Sequence, residues 1–150
     1  MVYQWKAGSR QTGDAQIAGE MCAALEAEGR LTAENLVEVN RPEDAPLHNS
    51  FEWQDDVAAE EWRKYQARNI IHSITVVAVP DKEPVRAYFN VCTASPQYES
   101  LQTIVQHEDK YAQLLESARR ELEAFQRKYN TITELSAVFD AINEFNASVA

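Results

Sequence analysis

The sequence predicts a mainly helical α+β protein, and three patterns support this fold class. Apolar residues recur at the three- and four-residue spacing of helices in the first and last parts of the chain. Between these parts, residues 74–80 and 85–91 have the composition of two adjacent strands. With 4 Gly and 5 Pro in 150 residues, the chain is neither collagen-like nor of low complexity. We expect one domain over 1–150, with a winged-helix-like core at 1–98 and a helical hairpin lobe at 99–150.

The first part of the chain is expected to form a strand and then a helix. Residues 2–6 alternate, with Tyr3 and Trp5 on one side, as in a strand or an aromatic arm packed on the core. Apolar residues recur every four positions over 15–28, which predicts a helix that has Asp14 as its N-cap.

A second, shorter helix is expected directly after the first. Gly29 is a suitable end for the first helix, and Thr32 is a suitable N-cap for a second helix that Pro42 ends. Leu31 and Leu36 occupy the two positions of a hydrophobic staple. Two helices joined by such a turn predict a helix-turn-helix-like unit.

The middle of the chain is expected to form an ordered loop and then a long helix. The loop is residues 42–54, whose two prolines disfavour a helix. Leu47, Phe51 and Trp53 make the same loop too apolar to remain in solvent. A central helix over 55–72 follows, because its first turns are acidic and its middle is basic, as the helix dipole favours.

Asp55 is expected to cap this helix, which runs directly into an antiparallel hairpin. The first strand, 74–80, is apolar on both faces, whereas the second strand, 85–91, alternates. The alternation predicts that Val85, Ala87, Phe89 and Val91 face inward and that Arg86, Tyr88 and Asn90 face outward. The order resembles a winged helix-turn-helix, with 55–72 as the recognition helix and 80–84 as the wing, although the strand usually found between the first two helices is missing.

The last third predicts an antiparallel αα-hairpin. Its first helix has apolar residues at alternating spacings of four and three: Tyr111, Leu115, Ala118, Leu122, Phe125 and Tyr129. After Asn130 and Thr131, the spacing resumes at Leu135, Val138, Ile142, Phe145 and Val149. Helices joined by so short a turn fold back on each other. We also predict a homodimer through Tyr111, Leu115, Leu122 and Phe125.

The charge distribution excludes a general nucleic-acid coat protein and leaves two surfaces as candidate binding faces. The formal net charge is -10, whereas a general nucleic-acid coat protein would be basic overall. Residues 31–60 contain one base and eight acids, but residues 61–90 contain five bases and three acids.

The basic residues of this second segment predict a DNA contact. The candidate nucleic-acid ligands are Arg63, Lys64, Arg68, Lys82 and Arg86. Lys64 and Arg68 share a helix face, and Lys82 falls at the expected wing tip. Alternatively, Glu60 and Lys64 form an i,i+4 pair and the charges are only a solvated face.

The acidic residues have their own alternatives. Glu34, Glu38, Glu43 and Asp44 either make the surface soluble or present a phosphate-like array to a basic protein, as DNA-mimic inhibitors do. Aromatic residues near both faces, namely Tyr3, Trp5, Trp53 and Trp62, either stack on bases or anchor the core and loops, and core packing is the favoured interpretation.

Motifs for catalysis and for cofactors are absent from the sequence. No P-loop, G-x-G-x-x-G or G-x-S-x-G occurs, and His48, His72 and His107 lack metal-site spacing. Asp55 and Asp56 are adjacent and point about 100° apart on a helix, so they do not converge on a metal. We therefore predict no enzyme, no cofactor and no metal site.

Compartment signals are also weak. The sequence has neither a run of 18 apolar residues nor a secretory signal at its start. Cys22 and Cys92 are too few for a disulfide framework and indicate buried thiols in a reducing compartment. We expect a cytoplasmic protein with no membrane partner.

The stretch PLHNSFEWQDDVAAEEWRKYQARNII, residues 46–71, resembles a motif of small phage and prophage proteins. It has a Pro-Leu-His turn, a Phe-Glu-Trp segment followed by acids, and a helix in which Gln-Ala-Arg runs into a strand. The segments VRAYFNV and EAFQRKY resemble that family too. The family carries no established activity, so the resemblance implies a phage origin and a role in DNA metabolism, regulation or interference with host defence. We expect a non-enzymatic accessory protein in the host cytoplasm that binds DNA or, alternatively, a basic protein.

Overall fold

The computed structural model describes residues 1–54, 57–91 and 96–149, without the side chains of 57 and 58. It confirms the predicted fold class: in these ranges the chain is mainly helical and has two small antiparallel sheets. The chain divides into two compact units, 1–104 and 105–150.

The first unit contains all the strands of the described ranges and the first four α-helices of those ranges. Its elements are β1 (Val2–Trp5), α1 (Ala15–Ala27), α2 (Ala33–Val39), α3 (Val57–Ser73), β2 (Ile74–Val77), β3 (Val85–Arg86), β4 (Tyr88–Asn90), β5 (Tyr98–Ser100) and α4 (Leu101–Ile104). A single turn of 3-10 helix, His48–Ser50, lies in the loop before α3.

The boundaries of α1 and α2 follow from their caps, as predicted. The carboxylate of Asp14 accepts a hydrogen bond of 2.8 Å from the backbone N–H of Gln16. At the other end of α1, Gly29 has a φ of 68°, a left-handed conformation that costs glycine little.

The Thr32 hydroxyl accepts a hydrogen bond from the N–H of Asn35 at the start of α2. The staple residues Leu31 and Leu36 are fully buried.

The first sheet has the order β1-β2-β3 and is antiparallel throughout. The predicted hairpin, formed by β2 and β3, is therefore present. The strand β1, from the start of the chain, is the third strand of the sheet. Register pairs Trp5 with Ile74 and Thr75 with Arg86. As a result, the end of β1, the end of α3 and the short strand β3 lie at one end of the sheet, with β1 and β3 on either side of β2.

The prediction of one continuous strand over 85–91 was wrong. The chain pairs with β2 over only two residues, and after Ala87 it pairs with β5 in a second sheet. Val85, predicted to face inward, is 49% exposed, whereas Tyr88, predicted to face outward, is 1% exposed. The switch between sheets at Ala87 changes which side chains face the core.

The loop 42–54 is ordered, as predicted, and a buried amide holds it. The side chain of Asn40 is fully buried. Its Oδ1 accepts a hydrogen bond of 3.1 Å from the N–H of Leu47, and its Nδ2 donates to the carbonyl of Leu36 at 2.9 Å. Further along the loop, the indole N–H of Trp53 donates to the carbonyl of His48, and the two rings stack with centroids 4.8 Å apart.

The second unit is the predicted helical hairpin. It consists of α5 (Glu108–Tyr129), a 3-10 turn (Thr133–Leu135) and α6 (Ser136–Val149). The Phe125 and Phe139 rings lie 6.4 Å apart, and the side-chain amide of Gln126 donates to Asn143 at 3.4 Å. These pairs show that α6 runs back along α5.

Elements of the first unit approach each other closely at Gly19 of α1. A Cβ atom on Gly19 would overlap the ring of Tyr3, which is itself buried. The carbonyl of Gly19 also accepts a hydrogen bond of 3.2 Å from the hydroxyl of Tyr88. Glycine is therefore required here because β1 and β4 both pack against this point of the helix.

We predict that Gly19→Ala destabilises the protein. Alanine in a helix is ordinarily favoured over glycine by about 1 kcal/mol, but here its methyl group must displace Tyr3, so we expect the free energy of unfolding to fall by about 2 kcal/mol. Urea unfolding followed by circular dichroism measures the change. Ala24→Gly, at an exposed position of the same helix, is the control and should show the ordinary preference for alanine. A Gly19→Ala protein as stable as the parent would contradict the packing described.

Candidate nucleic-acid interface

The rotation of α3 about its axis decides which residues can form a site. Its buried side chains follow helical spacing: Ala59, Arg63, Ala67, Ile70 and Ile71. The opposite side, which we call the outer face of α3, carries Glu61, Trp62, Tyr65, Arg68, Asn69 and His72. At 100° per residue these six positions cover about 120° of the helix circumference.

Arg63 does not lie on this outer face, although the sequence indicated it as a nucleic-acid contact. The residue is 3% exposed. Its Nε and Nη2 donate to the carboxylate of Glu60 at 3.1 and 2.9 Å, and its Nη1 donates to the carbonyl of Glu52 at 3.1 Å. The guanidinium carbon lies 5.4 Å from the ring centroid of Trp53. Arg63 thus fastens the loop 42–54 to α3, and its burial corrects the expectation that it faces a ligand.

Lys64 is the second predicted contact, and carboxylates neutralise it. Its ammonium group lies 3.1 Å from Glu61 and 3.9 Å from Glu34. The hydrogen bond that Lys64 donates to the carboxylate of Glu61 raises the pKa of Lys64. For this residue the structure favours the alternative of a solvated ion pair, with Glu61 rather than Glu60 as the nearer partner.

Arg68 and Arg86, also predicted, come together with two residues that the sequence analysis did not include. Burial lowers the pKa of His72, and the positive charges of Arg86, Arg68 and Lys6 lower it further. Geometry agrees: the N–H of Lys6 bonds to the carbonyl of Ser73, which follows His72. Arg86 pairs with Thr75, and Arg68 lies one helical turn before His72. We call the four residues Lys6, Arg68, His72 and Arg86 the cationic cluster. They come from the end of β1, the last turns of α3 and β3.

Several contacts hold the cationic cluster in place. The backbone N–H of Lys6 donates to the carbonyl of Ser73 at 2.7 Å. The Arg86 Nε donates to the carbonyl of Tyr88 at 2.9 Å, and its guanidinium lies 5.3 Å from the centroid of the Phe89 ring. The His72 ring meets the ring of the buried Tyr98 edge-on, with centroids 5.6 Å apart.

In the described ranges, the cationic cluster has no carboxylate at ion-pair distance. Among the residues that the structure describes, no ion pair within 4.0 Å involves Lys6, Arg68 or Arg86. Lys6 and Arg86 are exposed and Arg68 is half-buried. Lys82, the last predicted contact, is exposed in the turn between β2 and β3 and lies outside the cluster.

Three of the four aromatic residues singled out in the sequence anchor the fold, and one does not. Tyr3 is buried, Trp5 donates its indole N–H to the carbonyl of Gly13, and Trp53 is held in the loop. In contrast, Trp62 is 51% exposed and stacks on Tyr65, which is 48% exposed, with ring centroids 5.2 Å apart. Core packing was therefore the wrong expectation for Trp62.

This aromatic pair borders a polar cleft of about 410 Å³. The other lining residues offer amide, hydroxyl and guanidinium groups: Arg10, Gln11, Thr12, Asn49, Ser50, Gln66 and Asn69. The cleft lies beside the middle of α3, and the cationic cluster lies at the C-terminal end of the same helix.

The four acidic residues predicted to bind a protein are all exposed. Two of them have basic partners, because Arg41 binds Glu38 and lowers its pKa, while Glu34 lies near Lys64. Glu43 and Asp44 have no ion pair within 4.0 Å in the described part of the chain.

The residues predicted to form a dimer lie on α5. Tyr111 is 42% exposed and Phe125 is 36% exposed, although Phe125 also contacts α6. Leu115 and Leu122 are half-buried. No residue of α5 is buried.

The thiol of Cys22 is unsuited to nucleophilic chemistry. It is fully buried, as predicted, and burial together with the nearby charge of Glu26 raises its pKa to about 12. A thiol with this pKa stays protonated at neutral pH. Cys92, Asp55 and Asp56 lie outside the described residues.

The described ranges contain neither a metal site nor a membrane-spanning helix. No group of three or more His, Cys, Asp or Glu side chains there could hold a metal ion, and no described helix is long and apolar enough to cross a membrane.

Comparison of the chain with protein families, curated proteins and solved structures gives no match.

Proposed function

We propose that this protein binds nucleic acid, without catalysing a reaction on it, through the outer face of α3 and the adjoining cationic cluster. The observation that carries the proposal is the cationic cluster, in which basic side chains from three elements lie together without a carboxylate partner among the described residues. A role in phage DNA metabolism or regulation, in the cytoplasm of a bacterial host, is the part of this proposal that rests on the resemblance to phage proteins.

Electrostatics supports a phosphate ligand at this cluster. Neighbouring positive charges repel one another. They lie together here although acids outnumber bases by 24 to 14 in the chain. A phosphate group placed between them would replace that repulsion with charge-assisted hydrogen bonds, especially from the guanidinium groups of Arg68 and Arg86. Because the chain as a whole has a net charge of -10, we expect binding to be confined to this region, in contrast to a general coat protein.

A second candidate function uses the acidic loop. Glu43 and Asp44 are displayed on a loop that Asn40 and Trp53 hold in one conformation, and a fixed array of carboxylates can substitute for phosphates in the groove of a basic protein. Under this alternative the protein does not bind nucleic acid, and a basic partner co-purifies with it.

We also propose a homodimer through α5. The observation that favours it is the exposure of Tyr111 and Phe125 on a helix that has no buried residue. Light scattering at micromolar concentration should give twice the chain mass of 17.0 kDa, and Leu122→Glu should restore the mass of one chain. A single-chain mass for the unmodified protein would show that the spacing of apolar residues serves only packing within the hairpin.

We predict that changing Lys6, Arg68 and Arg86 together to glutamine weakens nucleic-acid binding. Each phosphate contact releases a counterion, so removal of three contacts to a single strand should lower the slope of log K against log salt by about 2. Fluorescence anisotropy of a labelled 12-nucleotide DNA, measured at several salt concentrations, gives both quantities. Arg63 is left unchanged because its guanidinium is buried in the fold.

Lys64→Gln on the same helix is the matched control for this experiment. Its ammonium group is already paired with Glu61 and Glu34, so its loss should change the affinity much less. Equal affinity of the triple variant and the parent would contradict the proposed interface. Absence of nucleic-acid binding by the parent, together with capture of a basic protein that a Glu43→Lys, Asp44→Lys variant releases, would favour the acidic loop instead.

A further inference from the structure

We infer that the nucleic acid is single-stranded, with unpaired bases stacked on Trp62 and Tyr65 and with its phosphates on the cationic cluster. The inference rests on the proposed function and names its ligand class. It comes from the exposed aromatic pair on the outer face of α3, which the fold itself does not use.

The aromatic pair is the first observation. Trp62 and Tyr65 lie one helical turn apart, their rings are inclined by 24°, and about half of each side chain is in contact with solvent. The stacked pair fixes the orientation of the two rings, so a planar ligand meets a preformed surface. Stacking of bases on such side chains tolerates any sequence, because every base has a π face.

The cleft beside this pair fits the polar edges of a base. The side chains of Asn49, Gln66 and Asn69 line it, and amides can both donate and accept hydrogen bonds. Arg10 lies in the same lining and brings a positive charge toward a phosphate or a base face. The cleft volume of about 410 Å³ is within the range of small-molecule sites.

Continuity along α3 connects the cleft with the cationic cluster. Trp62 and His72 are ten residues apart, which corresponds to about 15 Å along the helix axis. At the stacking repeat of ~3.4 Å per nucleotide, a strand of about four nucleotides spans this length. Tyr65 and Arg68, one turn apart on the outer face, mark the transition from bases to phosphates.

A duplex fits the same surface less well for two reasons. In a duplex each base pair is stacked between its neighbours, so the base faces are covered and Trp62 and Tyr65 would have nothing to stack on. A duplex also carries twice the linear charge of one strand, with one negative charge per ~1.7 Å, and it must approach a protein of net charge -10.

The test compares affinities for a labelled 12-nucleotide poly-dT strand and a 12-base-pair duplex of mixed sequence, by fluorescence anisotropy at one salt concentration. We expect the strand to bind at least tenfold more tightly than the duplex. Trp62→Ala should weaken binding to the strand about tenfold, Tyr65→Ala should weaken it similarly, and Trp62→Phe should retain most of the affinity. Leu101→Ala removes a side chain of similar exposure elsewhere in the first unit and should have no effect.

The outcomes separate this inference from the proposed function. If the Lys6, Arg68 and Arg86 triple variant loses binding while Trp62→Ala does not, nucleic-acid binding stands and stacking is wrong. Duplex affinity equal to or above that of the strand also overturns the single-strand assignment. If the parent protein binds neither probe, both proposals fail. Circular dichroism of each variant, with a spectrum matching that of the parent, shows that a loss of affinity is not a loss of fold.

Discussion

The buried guanidinium of Arg63 is the constraint on which the rest of the first unit depends. A buried charge is tolerated only when it is paired and hydrogen-bonded, and Arg63 meets both conditions through Glu60 and the carbonyl of Glu52. Arg63 also contacts Trp53, which is hydrogen-bonded to and stacked on His48. The buried guanidinium therefore fixes the loop 42–54 as well.

The same constraint decides which residues of α3 face solvent. Since neighbouring residues on a helix are about 100° apart, an inward Arg63 directs Trp62 and Lys64 to the two flanks and Tyr65 and Arg68 to the opposite side. The exposed aromatic pair is therefore a consequence of burying an arginine in preference to a tryptophan. Hydrophobicity alone would favour the opposite arrangement, with the tryptophan buried and the arginine exposed.

Features that depend on residues close in sequence were predictable, and those that depend on distant contacts were not. The caps at Asp14 and Thr32 and the turn at Gly29 follow from local chemistry. The burial of Arg63 and the switch between sheets at Ala87 depend on partners elsewhere in the chain. The cationic cluster combines residues 6 and 86, so counting charges in successive segments found Arg68 and Arg86 but could not place Lys6 or His72 beside them.

The central claim is that nucleic acid meets the outer face of α3 and not the acidic loop, and the three tryptophans offer a direct measurement. Their indole N–H groups lie in three environments: bonded to Gly13, bonded to His48, and, for Trp62, on the exposed pair. Titration of ¹⁵N-labelled protein with the 12-nucleotide strand, followed by NMR, should shift the Trp62 indole resonance and leave that of Trp53 in place. A shift of the Trp53 resonance and the amides of residues 42–54, with that of Trp62 unchanged, would contradict it.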